Sequence, residues 1–133
     1  MNALEWDDTL SVQVEEIDDD HRKLVALFNE LEAAVARGDD PLYLEALLEE
    51  LIAATEWHFR HEERLMLRHG YPEQEAHSKE HRELVNALRA LHRERLQQGR
   101  PLAEADVEHL EHWLTGHILG SDMELGAWLA ERI

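Results

Sequence analysis

Five histidines and two carboxylates recur along this chain at spacings that suit helix faces: His21, His58, Glu62, His77, His81, His117 and Asp122. His58 and Glu62 are four residues apart, as are His77 and His81. Each pair therefore projects from one side of a helix. The surrounding residues read as apolar stripes, which puts ionisable groups where core is expected. Such groups are costly to bury unless they are paired or bound to metal. Seven of them converging on one core would suit two metal ions.

Counting donors sharpens that expectation. Two octahedral ions offer about twelve positions. If Glu62 and Asp122 bridge, and an oxide or hydroxide bridges too, five histidines leave one position open. The opening falls on the ion with two histidines. Imidazole with carboxylate suits iron, zinc or manganese. Zinc usually takes four ligands, so a paired-iron centre fits seven donors better. The chain has no cysteine, which excludes thiolate sites, disulfides and thiol catalysis. Neither Glu-x-x-His nor His-Glu-x-x-His, the signatures of two other metal-site classes, occurs.

The elements that must position these residues follow from periodicity. Leu10, Val12 and Val14 alternate with polar residues, so residues 1–16 are expected to form an extended arm packed along the domain. Four amphipathic helices follow, at about Asp18–Arg37, Pro41–His69, Pro72–Gln98 and Leu102–Leu119. Gly38-Asp39-Asp40-Pro41, Gly70-Tyr71-Pro72 and Gly99-Arg100-Pro101 separate them. Short connections imply an all-α, antiparallel up-down-up-down bundle over 17–119. Residues 120–133 form a short C-terminal helical tail, and the whole chain is expected to be one domain. His117 and Asp122 are five apart, about 140° on an unbroken helix. A break at Gly120 is therefore expected to swing Asp122 back toward the site.

Composition narrows the function classes. The 133 residues are 44% hydrophobic, enough for one core. Thirty acidic against 13 basic residues give a net charge of −17. That argues against nucleic acid and against anionic membrane surfaces as partners. No run approaches the roughly 20 apolar residues of a membrane span, and the N-terminus lacks the pattern of a signal peptide. A cytoplasmic chain without membrane insertion is expected.

The motifs together resemble those of the bacterial hemerythrins. The resemblance is carried by Ile17-Asp18-Asp19-Asp20-His21, His58-Phe59-Arg60-His61-Glu62-Glu63, Met66, Tyr71-Pro72, His77-Ser78-Lys79-Glu80-His81 and Trp113-Leu114-Thr115-Gly116-His117-Ile118, with Asp122. It spans about Trp6 to Asp122. It implies two iron ions, one held by His77, His81 and His117, the other by His21 and His58, with Glu62, Asp122 and an oxo or hydroxo group bridging. It further implies reversible dioxygen binding at the two-histidine iron, with an oxygen-consuming enzyme as one recipient. Leu24, Phe59, Trp113, Ile118 and Leu119 lie within four residues of a ligand and are expected to line the oxygen pocket.

The leading expectation is an oxygen carrier, store or supplier, not an enzyme. The alternatives are a di-iron peroxidase, oxidase or nitric-oxide-handling enzyme, and an oxygen or iron sensor. His61, His69, His92, His109 and His112 stand outside the motif and are expected to play surface or structural roles. Asp18, Asp20, Glu63 and Glu80 are candidates to hold the outer nitrogens of the liganding histidines.

Overall fold

The structure is a computed structural model and describes residues 4–133. Helix α1 covers Glu15–Arg37, α2 Pro41–His69, α3 Gln74–Glu94 and α4 Glu104–His117. A widened turn, Ile118–Asp122, leads into α5, Met123–Ala130. The four long helices form the antiparallel bundle that the periodicity predicts, with α2 packed on α1 and α3, and α4 on α1. Among the described residues no helix is long and apolar enough to cross a membrane.

The boundaries follow local chemistry. α1 begins nearly a turn earlier than expected, and its first turn carries Glu15, Glu16 and Asp18 beside the positive end of the helix dipole. It ends at Gly38, whose φ of 68° lets the chain turn left-handed. There the Asp39 N–H donates back to the Ala34 carbonyl (3.1 Å). Asp40 caps α2 by accepting from the Leu42 N–H at 2.8 Å, with Pro41 in the first turn. α3 is shorter than expected at both ends, because residues 72–73 form a turn and Leu96–Gln98 a single 3₁₀ turn. α4 begins at Glu104, where the Asp106 carboxylate accepts from the Ala103 N–H (3.0 Å).

The expected break at Gly120 does not occur. The helix continues, taking one extra residue into the turn Ile118–Asp122, and the Met123 N–H reaches back to the Ile118 carbonyl. Bonds of this i→i+5 kind define a π turn, which brings residues five apart toward one face. That geometry, and not a loosened backbone, carries Asp122 inward beside His117. Gly120 has an ordinary φ, and a Cβ there would meet nothing within 4 Å.

The N-terminal arm packs against the bundle as expected, but it is not a plain strand. Asp8–Leu10 form a 3₁₀ turn capped by Asp7, and α1 already starts at Glu15. Met1, Asn2 and Ala3, which the expected arm included, lie outside the described residues. Leu10, Val12 and Val14 are buried. Asp18 ties the arm down, accepting from the Val12 N–H at 2.9 Å and the Ser11 hydroxyl at 2.6 Å.

Two apolar clusters result. One joins Leu24, Phe28 and Leu31 to Leu44, Leu48, Leu51, Leu88 and Leu110. The other joins the arm and Ile17 to Leu65, Met66, Ile118, Leu125 and Leu129. On α1, α2 and α4 the polar residues of interest lie between the two clusters, and on α3 His77 and His81 precede Leu84 and Leu88 of the first.

At the second cluster the arm lies directly on Gly126. A Cβ there would sit 2.1 Å from the Val12 carbonyl oxygen, so the backbone contact requires glycine. Gly126→Ala should therefore destabilise the fold by about 1–3 kcal/mol through overpacking, whereas Gly120→Ala should be close to neutral. Denaturant melts of the two variants check this, and equal stabilities would contradict the packing described.

Candidate metal centre

All seven residues of the motif converge on one buried layer. His21, His58, Glu62, His77, His81, His117 and Asp122 are each at most 5% exposed. Their ligand atoms form two overlapping groups, each gathered within 4.8 Å. Glu62, His77, His81, His117 and Asp122 make one group, and His21, His58, Glu62 and Asp122 the other.

The carboxylate oxygens divide between the groups. Glu62 Oε1 lies 2.9 Å from His77 Nε2 and 3.0 Å from His81 Nε2. Its Oε2 lies 2.7 Å from His58 Nε2 and 3.6 Å from His21 Nε2. Asp122 Oδ1 lies 3.0 Å from both His77 and His117 Nε2, and its Oδ2 lies 2.9 Å from His21 Nε2. Each carboxylate thus offers one oxygen to a three-histidine set and the other to a two-histidine set. That is the arrangement of a bridge.

Several of these atoms are close without being hydrogen-bonded. His21 Nε2, His58 Nε2, His117 Nε2, Glu62 Oε2 and both Asp122 oxygens are buried and lack an aligned partner. Separations near 3 Å without alignment are what neighbouring donors show when they surround an ion at about 2.1 Å. Left bare, such atoms carry the full desolvation cost. The donor set therefore fits a pair of nitrogen- and oxygen-liganded ions.

Outer partners orient three of the histidines, as metal-binding imidazoles usually require. His58 Nδ1–H donates to Asp20 Oδ2 at 2.9 Å. His81 Nδ1–H donates to Glu63 at 3.1 Å, and His117 Nδ1–H donates to Glu80. Glu80 is itself fixed by the Ser121 hydroxyl at 2.7 Å. Of the four acidic candidates only Asp18 is excluded, since it holds the arm. His61 has a larger role than expected, because its Nδ1 lies 2.6 Å from the same Asp20 oxygen that serves His58. The signal was its three-residue offset from His58.

Beside the layer is a cavity of about 40 Å³, room for a small diatomic or a water or two. Its walls sit three and seven residues from the site histidines: Leu24 and Phe28 on α1, Thr55 and Leu51 on α2, Leu84 and Leu88 on α3, Leu114 and Leu110 on α4. His21, His58, His117, Asp122, Phe59, Trp113 and Ile118 complete the lining. Phe59 stacks on His81 with ring centroids 3.7 Å apart. Leu24, Phe59, Trp113 and Ile118 thus all lie on the wall of this cavity.

Leu119 does not. It is 51% exposed and absent from the cavity wall, because in the π turn Ile118 and Asp122 take the inward positions and Leu119 faces out. Leu114 and Leu110 stand there instead, one and two turns before His117. Their place on the α4 stripe was the available signal.

A family model described as the Hemerythrin HHE cation binding domain matches residues 12–129. The chain belongs to the hemerythrin family. It is 32% identical over 122 residues to a bacteriohemerythrin of Stenotrophomonas maltophilia, covering 92% of this chain and 78% of that one. It is 29% identical over 120 residues to a myohemerythrin of Theromyzon tessulatum, covering 90% and 88% of the two chains. A solved wild-type hemerythrin superposes with a TM-score of 0.89 at 26% identity, covering 97% of this chain and 99% of that one. This family member therefore shares its fold with hemerythrins along nearly its whole length.

Electrostatics set how such a site would load. Burial pushes the His58 imidazolium down, but the charge of the adjacent Glu62 carboxylate and the hydrogen bond to Asp20 outweigh it and raise His58 to about 10. Burial likewise opposes His77, and Asp122 and Glu62 raise it to about 10. His21 and His117 are raised too, against burial, by the same two carboxylates. Burial would raise Glu62 and Asp122, and Glu62 opposes Asp122 as well, yet the histidines hold both below their usual range.

Without metal, the raised histidines add stability that is complete below their ordinary value of 6.5 and is lost as pH climbs to about 10. Metal must displace those protons. Metal affinity should therefore rise with pH across that window, with protons released on uptake. Competition titrations at several pH values, with proton counting, check this. A pH-independent affinity would contradict it.

Proposed function

We propose that this chain binds dioxygen reversibly at a pair of iron ions held by His77, His81 and His117 on one side and His21 and His58 on the other, with Glu62 and Asp122 bridging. The observation that carries the reading is the position of the cavity. It touches both histidines of the two-histidine set but only His117 of the other three, so more of the set with fewer donors borders the open space. Iron bound there would supply the reducing electrons and the open coordination position that dioxygen needs.

The chain's own residues do the rest. Glu62 and Asp122 hold the two sets together, so a change at one is felt at the other. Asp20, Glu63 and Glu80 keep three imidazoles turned with Nε2 inward. Leu24, Phe28, Leu51, Leu110, Leu114 and Ile118 keep bulk water from the cavity. Aside from the donors, the polar groups on the wall are the indole N–H of Trp113, which is a donor only, and Thr55, whose hydroxyl donates to the Leu51 carbonyl at 2.7 Å. No side chain there is placed to pass protons to a bound molecule through repeated turnovers. This favours binding over peroxidase or oxidase chemistry.

The test is an anaerobic-to-aerobic optical titration of iron-loaded protein. A visible band should appear with oxygen and fade when oxygen is removed. Sustained consumption of peroxide or oxygen, without a reversible band, would contradict the reading. Leu24→Asn should hasten irreversible oxidation several-fold by admitting water, and Leu119→Asn should leave that rate unchanged. Autoxidation followed optically separates the two variants, and equal rates would show that the cavity does not protect the site.

A further inference from the structure

A second group of donors lies outside the centre. Glu45 and Glu49 are four residues apart on α2, and His92 faces them from the last turn of α3. His92 Nε2 lies 3.3 Å from Glu49 Oε1 and 3.7 Å from Glu45 Oε1. The three ligand atoms fall within 4.8 Å of one another. Thirteen residues of α2 separate Glu49 from Glu62, roughly 20 Å along the helix. The group is therefore separate from the buried layer, and nothing about it depends on what that layer binds.

We propose that Glu45, Glu49 and His92 form a mononuclear site for a borderline divalent ion such as Zn²⁺, joining α2 to α3. The His92 side chain is 13% exposed, yet its Nε2 atom is shielded from solvent and makes no hydrogen bond. A buried nitrogen without a partner, aimed at two carboxylates it does not bond, is a donor left over by the fold. Two glutamates four apart on one helix repel each other, and a divalent cation between them removes that repulsion. One imidazole with two carboxylates is a donor set that zinc, manganese and iron accept. Three protein ligands leave a position for water.

The way in is open. A solvent cleft of about 440 Å³ lies against the group, lined by Glu49, Glu56, Arg89, His92, Arg93 and Gln97 among others. Arg89 is held by Glu56 and so does not occupy the glutamate pair. His92 was expected to be a surface histidine without a particular role. Its partners lie more than 40 residues away in sequence, which is why spacing alone gave no sign of them.

Iron-loaded full-length protein titrated with Zn²⁺ tests the site, with bound iron and zinc counted by native mass spectrometry and the melting temperature followed in parallel. One zinc per chain should bind while the iron is retained, and the melting temperature should rise, since an ion that binds only the folded state stabilises it. His92→Ala should weaken that zinc by at least about tenfold and abolish the thermal shift, and Glu49→Gln should weaken it as well. His109→Ala, at an exposed histidine outside the group, should change nothing. No zinc beyond the iron, zinc taken up only in exchange for iron, or equal zinc binding by His92→Ala would each overturn the proposal.

Discussion

Everything in this molecule is arranged around one cost: a belt of ionisable side chains crosses the bundle interior between two apolar clusters. On α1, α2 and α4 the belt residues sit between a stretch facing one cluster and a stretch facing the other, and on α3 His77 and His81 precede the stretch facing the first cluster. His21 lies between Ile17 and Leu24, His58 and Glu62 between Ile52 and Leu65, and His117 between Leu110 and Ile118. The clusters supply the burial that holds the helices together, and in doing so they remove water from the belt. Partial relief comes within the protein, from protonated histidines facing Glu62 and Asp122. It is incomplete, because several of these atoms lack an aligned partner. A pair of cations would satisfy both the charges and the unpaired atoms.

The belt is also lopsided, and the proposed function rests on that asymmetry. Three histidines stand on one side of Glu62 and Asp122 and two on the other. The cavity lies toward the first apolar cluster, one and two turns from the site histidines on every helix. Its apolar wall is continuous with that cluster, so the same leucines that stabilise the bundle also line the open space. The π turn belongs to this design too. Without the extra residue between His117 and Asp122, the Asp122 carboxylate would point away from the belt.

Much of this was legible from residue spacing. Pairs at four-residue intervals placed His58 with Glu62 and His77 with His81, and the apolar stripes gave four helices with nearly correct limits. The inward position of Asp122 was foreseen for the wrong reason, since spacing cannot distinguish a broken helix from a widened one. Leu119 was misplaced by the same ambiguity, because an extra residue in a turn rotates every side chain beside it. What spacing could not show at all were contacts between helices. Asp20 serving both His58 and His61, Glu80 reaching His117, and His92 facing Glu45 and Glu49 all join residues distant in sequence.

The claim on which the rest depends is that Glu62 and Asp122 each hold two ions at once. Anomalous diffraction at the iron edge, from crystals of the iron-loaded protein, tests it directly. Two peaks should appear inside the bundle, one among His77, His81 and His117 and one beside His21 and His58, each touching both carboxylates. A single peak in the belt, or two peaks that do not share Glu62 and Asp122, would contradict the account.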